Sequence, residues 1–140
     1  MGALVAVNPV GDATDQTGKY FWAAPFEIDG EFGGLESPSG GSYAMSFKRP
    51  ELFPLEDRAN TTIGIIATDA DLTKAQAQRL ATSAHDGIAR AIVPSHLPFD
   101  GDLIFATTTS EIPLQDEVYD FAEIWHAASL CMARAIARGV

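Results

Sequence analysis

The chain has 140 residues, 46% of them hydrophobic and 20% charged, which is enough for one globular domain with a real core and excludes disorder throughout. With 9 Lys and Arg against 19 Asp and Glu, the formal net charge is -10 and no basic stripe forms, so nucleic acid is excluded as the main partner. The single cysteine, Cys131, rules out an intrachain disulfide and a thiolate metal cluster, and it fits a reducing, cytoplasmic compartment.

Gly2-Ala3-Leu4-Val5-Ala6-Val7 reads as the first strand. Met1 to Val7 lacks a basic lead and is too short for a signal peptide or a membrane span. A buried-looking strand that opens at the second residue is unusual, because termini normally lie at the surface, and it predicts that the chain is the C-terminal portion of something longer. Asn8-Pro9-Val10-Gly11-Asp12 is a turn signature, and Tyr20-Phe21-Trp22-Ala23-Ala24 is a short aromatic segment expected to form a second strand. Residues 29–59 are acidic and rich in Gly and Pro, with no periodicity of either kind; such a tract inside a compact domain is a functional loop or a linker. Glu51, Glu56 and Asp57 within it read as a solvated face.

The pattern returns abruptly at Asn60-Thr61. Thr62 to Thr68 is β-branched and almost continuously apolar, which predicts a strand covered on both faces. Thr73 with Gln76 has the form of a capping box. The helix it opens carries Ala77, Leu80, Ala81, Ala84, Ile88, Ala91 and Ile92 on one stripe and ends at Pro94, which cannot continue the hydrogen-bond ladder. Leu103 to Thr108 is a further strand. The last helix runs from about Asp116 to Arg138, with Val118, Phe121, Ala122, Trp125, Ser129, Met132, Ala133 and Ile136 at helical spacing and Gly139 as its cap. Strand, helix, strand, helix after Thr61 implies an α/β domain with helices packed on a sheet.

Two places can carry chemistry. A threonine at the loop-to-strand boundary becomes a nucleophile if the Asn60–Thr61 bond is cut, because the freed α-amine then serves as its base. Asp100-Gly101-Asp102, at the mouth of the strand from Leu103, sets two carboxylates on one side if extended, although Asp and Gly are also ordinary turn residues and the tripeptide alone reads most simply as a turn. His85, His96 and His126 have no zinc-ligand spacing and read as packing or surface residues, and Phe121, Trp125 and Met132 read as core.

Asn60 to Asp69, Leu80-Ala81 with Ala84 to Ile92, and Phe99 to Ala106 together resemble the C-terminal half of the P1 peptidase family, and the opening Gly2 to Asn8 with Gly11-Asp12 resembles the family's preceding strand and turn. The family includes L-aminopeptidase/D-amino-acid esterases, β-peptidyl aminopeptidases and the hydrolase of 6-aminohexanoate oligomers. The resemblance implies a four-layer α/β/β/α sandwich like that of the N-terminal nucleophile hydrolases, of which this chain would be only a part. It implies self-cleavage before Thr61, dividing the chain into 1–60, the end of the N-terminal subunit, and 61–140, the C-terminal subunit. Thr61 would be the nucleophile and Asn8 the oxyanion-stabilising amide. Asp100 and Asp102 would be the supporting pair, Asp100 holding the Thr61 amine or hydroxyl and Asp102 acting through it. Asp at both positions matches the oligomer hydrolase, where aminopeptidase members carry Ser and Glu. No metal or organic cofactor is needed. The expected partners are a small peptide or amide substrate, an upstream half that supplies a tyrosine and a lysine with no counterpart here, and further copies of the protomer; no membrane is expected. Two other readings stand beside this one: acyl transfer like that of the ornithine acetyltransferases, which cleave before a threonine too, and an inactive remnant acting only in assembly.

Overall fold

The computed structural model describes residues 1–34, 60–98 and 100–140; the tract 35–59, with Glu51, Glu56 and Asp57, and Phe99 lie outside the described residues. Three strands form one sheet in the order β1 (Gly2–Asn8), β2 (Thr61–Ala70), β3 (Leu103–Ile112), and two helices, α1 (Lys74–Ala91) and α2 (Tyr119–Arg138), pack on it. β1 runs antiparallel to β2, with Asn8 opposite Thr61, and β2 runs parallel to β3, with Ile63 opposite Leu103. A parallel pair needs a crossover, and α1 supplies it. The architecture is a small mixed α/β unit, as expected.

Local chemistry accounts for the helix ends. The Thr73 and Gln76 capping box is formed: the Thr73 hydroxyl accepts the Gln76 amide and the Gln76 side chain accepts the Thr73 amide. α2 begins at Tyr119, three residues later than the charge pattern predicts. The Asp116 carboxylate is used outside the helix, accepting the amides of Val118 at 2.9 Å and Tyr119 at 3.0 Å. Gly139 is the C-cap, as the sequence suggests.

The core lies between one face of the sheet and the two helices. β2 sends Thr62, Gly64, Ile66, Thr68 and Ala70 inward, against Leu80, Ala84 and Ile88 of α1 and Ala128, Met132, Ala133 and Ile136 of α2. The small residues of α1 serve mainly its contact with α2. A β-carbon built on Gly87 would stand 2.4 Å from the Ser129 carbonyl oxygen and 2.7 Å from Met132 Cβ, so the two helices cross closer than any side chain at that position permits.

Two expectations are corrected. β2 is covered on one face only, alternating buried and exposed along its length; Ile63 is 47% and Phe105 of β3 55% exposed, and Leu4, Ile65 and Leu103 lie open on the same side. Its continuous apolar character therefore reflects an outer face as greasy as the inner one. Tyr20 to Ala24 is not a strand: Phe21 makes an isolated bridge to Thr14, and Ala24–Phe26 is a 3-10 turn with Pro25 in its first turn. The Asp15 carboxylate curls the chain before it, accepting the amides of Thr17, Lys19 and Tyr20.

The segment that follows is fastened to α2 by Glu31, whose carboxylate takes a bidentate pair from the Arg134 guanidinium, with Arg138 nearby. The hydrogen bonds from Arg134 hold the Glu31 carboxyl below the usual carboxylate range. Because its folded pKa is lowered, the stability this contributes is full above the unfolded value of about 4.3 and is lost as pH falls through the folded value. Glu31→Gln is expected to cost about 1 kcal/mol at neutral pH, with the difference from the parent closing in acid, as read by urea denaturation at a series of pH values.

Candidate active site

The antiparallel and parallel pairings bring the end of β1 and the starts of β2 and β3 to one edge of the sheet. Asn60 forms a parallel bridge with Asp100 just before the strands proper begin, and Asn8 pairs with Thr61 on the other side. Five residues singled out in the sequence, Asn8, Asn60, Thr61, Asp100 and Asp102, are thus gathered at this edge.

The Asn60–Thr61 peptide is the centre of the arrangement. The Thr61 hydroxyl donates to the Asn60 carbonyl oxygen at 2.6 Å, and the Gly101 amide donates to the same oxygen at 3.0 Å. Gly101 is required here by space: a β-carbon on it would lie 2.8 Å from Thr61 Oγ1. The tripeptide Asp100-Gly101-Asp102 thus places a glycine amide on the carbonyl between its two acids.

The carboxylates divide their work. Asp102 accepts the Thr62 amide on Oδ1 at 3.0 Å and the His96 ring on Oδ2 at 2.7 Å, and its side chain is only 6% exposed. Asp100 accepts the Val10 amide on Oδ1 at 3.0 Å and the Leu97 amide on Oδ2 at 3.2 Å. With the Asn60–Thr61 bond intact, these two bonds of Asp100 tie together the loop after β1 and the loop after α1, and the Thr61 hydroxyl faces its own neighbour's carbonyl. Asp12 and Val93 exchange backbone hydrogen bonds at 3.1 and 3.0 Å between the same two loops. Beside Asn8, which is exposed, a groove of about 500 Å³ is lined by Pro9, Asp12, Thr14 and Phe21 among others.

The profile of the peptidase family S58 matches residues 1–140. The chain belongs to peptidase family S58. Proteins similar to it include an uncharacterized aminopeptidase of Mycobacterium tuberculosis, 35% identical over 150 aligned positions that take in 100% of this chain and 43% of the relative. Another uncharacterized aminopeptidase, of Mycobacterium leprae, is 38% identical across 97% of this chain and 39% of its own length. A 6-aminohexanoate-oligomer endohydrolase of Paenarthrobacter ureafaciens is 32% identical over 112 positions, 80% of this chain and 30% of the relative. The chain therefore spans less than half the length of these curated relatives. The family resemblance read from Asn60 to Asp69 and from Phe99 to Ala106 is borne out. No helix among the described residues is long and apolar enough to cross a membrane.

Sequence reasoning missed two groups at the S58 edge. The Gly101 amide is invisible because a backbone donor carries no residue signature. His96 reads from the sequence as a packing or surface residue, yet its ring sits on Asp102 and lies tilted beside that of His85, ring centroids 5.3 Å apart. The one signal available was its position a few residues before the acid pair. Burial, and secondarily the neighbouring His96, push the His85 imidazole below the ordinary histidine value.

Proposed function

We propose that this S58 chain is the self-cutting portion of an amidohydrolase in which Thr61 is the nucleophile, first toward its own Asn60–Thr61 bond and then toward the amide bonds of small peptides or amino-acid oligomers. The observation that carries this reading is the Asn60 carbonyl, held between the Thr61 hydroxyl at 2.6 Å and the Gly101 amide at 3.0 Å.

In the first stage Thr61 Oγ1 attacks the Asn60 carbonyl carbon. The C–N bond breaks, the hydroxyl proton ends on the departing Thr61 nitrogen, and an ester joins Asn60 to Oγ1. Water then hydrolyses the ester, leaving the Asn60 carboxylate, a free hydroxyl and a free α-amine. The Gly101 amide serves as the donor to the oxygen on which negative charge develops, a role that a backbone N–H fills without reorganisation. In the second stage the α-amine, with an ordinary pKa of about 7.7–8.0, takes the Thr61 hydroxyl proton as Oγ1 attacks a substrate carbonyl. The acyl group passes to Oγ1, the substrate amine leaves, and water releases the acid. Asn8 is assigned the donor to the substrate oxyanion. Asp100 and Asp102 support the nucleophile: Asp102 through the Thr62 amide, and both as carboxylates at the strand end where the new α-amine is released. The names of the aminopeptidase and endohydrolase relatives support amide hydrolysis as the reaction class.

The same reading assigns the open sheet face, with Leu4, Ile65 and Phe105, to a second sheet from upstream polypeptide, which completes the α/β/β/α sandwich, and takes processed protomers as the assembling unit in the cytoplasm. Intact-mass measurement tests the chemistry. The parent chain is expected to yield a fragment beginning at Thr61, and Thr61→Ala to stay whole; a Thr61→Ala chain that still splits at this bond overturns the proposal.

A further inference from the structure

We propose that His96 is a positioning residue of the Thr61 site: it anchors Asp102, and through Asp102 the Thr62 amide, so that the alignment of the Asn60–Thr61 bond depends on the hydrogen bonds of this imidazole. The chemical part of this inference rests on the reading of Asn60–Thr61 as the bond that is cut, and nothing in that reading requires the histidine.

Three observations lead to it. The first is a continuous chain of short contacts: His96 Nδ1 lies 2.7 Å from Asp102 Oδ2, and Asp102 Oδ1 accepts the Thr62 amide at 3.0 Å. One carboxylate thus spans the imidazole and the residue that follows the nucleophile. A carboxylate offers only acceptors, so Nδ1 carries its proton. The second is the backbone of His96, which sits at φ +55°, in the left-handed region that a residue with a β-carbon seldom adopts. That conformation costs free energy and persists where the surroundings enforce it, and such residues cluster at functional sites. Here it accompanies a ring lodged between Asp102 and α1. The third is the far side of the ring: Nε2 lies 3.3 Å from the His85 carbonyl oxygen. With acceptors at both nitrogens, the imidazolium donates two hydrogen bonds, and the neutral ring that keeps its Nδ1 proton donates only one. The ring is 37% exposed while Asp102 is 6% exposed, so the histidine covers the carboxylate from the solvent side.

Among the described residues, the other charged and titratable groups near the ring lie on α1 and on its own loop. On α1 stand His85, its ring centroid 5.3 Å away, and Asp86; burial keeps the His85 imidazole toward its neutral form, so it does not compete for the charge beside Asp102. On the loop itself stands Asp100, engaged with the Val10 and Leu97 amides.

The test uses the full chain with three variants, His96→Ala, His96→Asn and Asp102→Asn, each first shown to melt cooperatively. Two readouts are taken between pH 5 and 8: the rate at which the fragment beginning at Thr61 appears, and the chemical shift of the Thr62 amide. In the parent, the Thr62 amide is expected to titrate with the same midpoint as the His96 ring and to lose that inflection in all three variants. His96→Ala is expected to slow cutting about tenfold, the scale of one charge-assisted hydrogen bond, and to flatten its dependence on pH. His96→Asn, which tolerates the left-handed backbone and still donates an N–H, is expected to recover part of the rate without the pH dependence. The inference is overturned if His96→Ala cuts with the parent's rate and pH profile, or if the Thr62 amide ignores the titration of His96. A parent that never cuts would sink the processing reading instead, and the amide titration would still decide whether His96 controls Asp102.

Discussion

Gly101→Ala is expected to suppress cleavage of the Asn60–Thr61 bond by a hundredfold or so while leaving the fold in place. The added β-carbon would stand 2.8 Å from Thr61 Oγ1, a separation that real β-carbons do not show, so the threonine side chain or the tripeptide must move. Whichever moves, the hydroxyl and the Gly101 amide no longer meet on the Asn60 carbonyl together. A displacement of about 1 Å at a reacting centre costs rate on the scale of 10²-fold, and removal of one oxyanion donor costs a similar factor. Stability is expected to change little by comparison, because Gly101 is exposed and the strain has solvent on one side. Mass spectrometry over time, beside a thermal melt, separates the two effects. A Gly101→Ala chain that cuts at the parent's rate would mean that the contact on Thr61 is irrelevant to the chemistry.

The largest expected effect on stability comes from Gly87→Ala. In an exposed helix the change would be favourable by nearly 1 kcal/mol, since alanine is the better helix former. Here the new methyl group meets backbone, 2.4 Å from the Ser129 carbonyl oxygen and 3.0 Å from the Ala133 nitrogen, and backbone cannot turn aside as a side chain can. α1 and α2 must separate, which loosens Leu80, Ile88, Met132 and Ile136, all fully buried. Overpacking of this kind costs about 1–3 kcal/mol, and a clash with backbone lies at the upper end, so it outweighs the propensity gain and the net loss is about 2 kcal/mol. For a domain of this size the midpoint of thermal unfolding falls by several degrees. Gly87→Val, bulkier again and a poorer helix former, is expected to fall further. An alanine variant that melts higher than the parent would show that the helices have room to spare.

What could be read from the residues follows from how local each determinant is. Thr73 and Gln76 announce the start of α1 because a capping box is made by residues three apart. The boundary at Asn60-Thr61 is visible because composition changes within a few residues, and Asp100-Gly101-Asp102 stands out as a tripeptide. The family resemblance then joined these pieces to Asn8, which no local pattern connects with them. The face of β2 that carries Ile63 and Ile65 lies open within this chain for a physical reason: apolar content reports what a strand is suited to touch, while what covers it is set by the elements present. Tyr20 to Ala24 misled through its aromatic richness, since Asp15 turns the chain and Phe21 packs edge to face on Phe32, ring centroids 5.5 Å apart, without a ladder. The place of His96 beside Asp102 is not legible in the sequence, because it rests on a left-handed backbone angle and a partner, and neither is written in its letter. Asp116 shows the opposite case, a residue of the expected kind that acts from just outside the helix it was expected to open.

The hydrogen bonds that frame the Asn60–Thr61 peptide span long stretches of chain: the bond from Val10 to Asp100 joins residues 90 positions apart and that from Thr62 to Asp102 joins residues 40 apart. Contacts of such separation carry a high loop-closure cost and form only when the sheet and its crossover helix are in register. Under the proposed chemistry, scission at this edge would be a record of folding history. Every severed molecule would have reached the finished topology at least once, and the proportion of severed chains would set a lower bound on how many of those synthesised had done so.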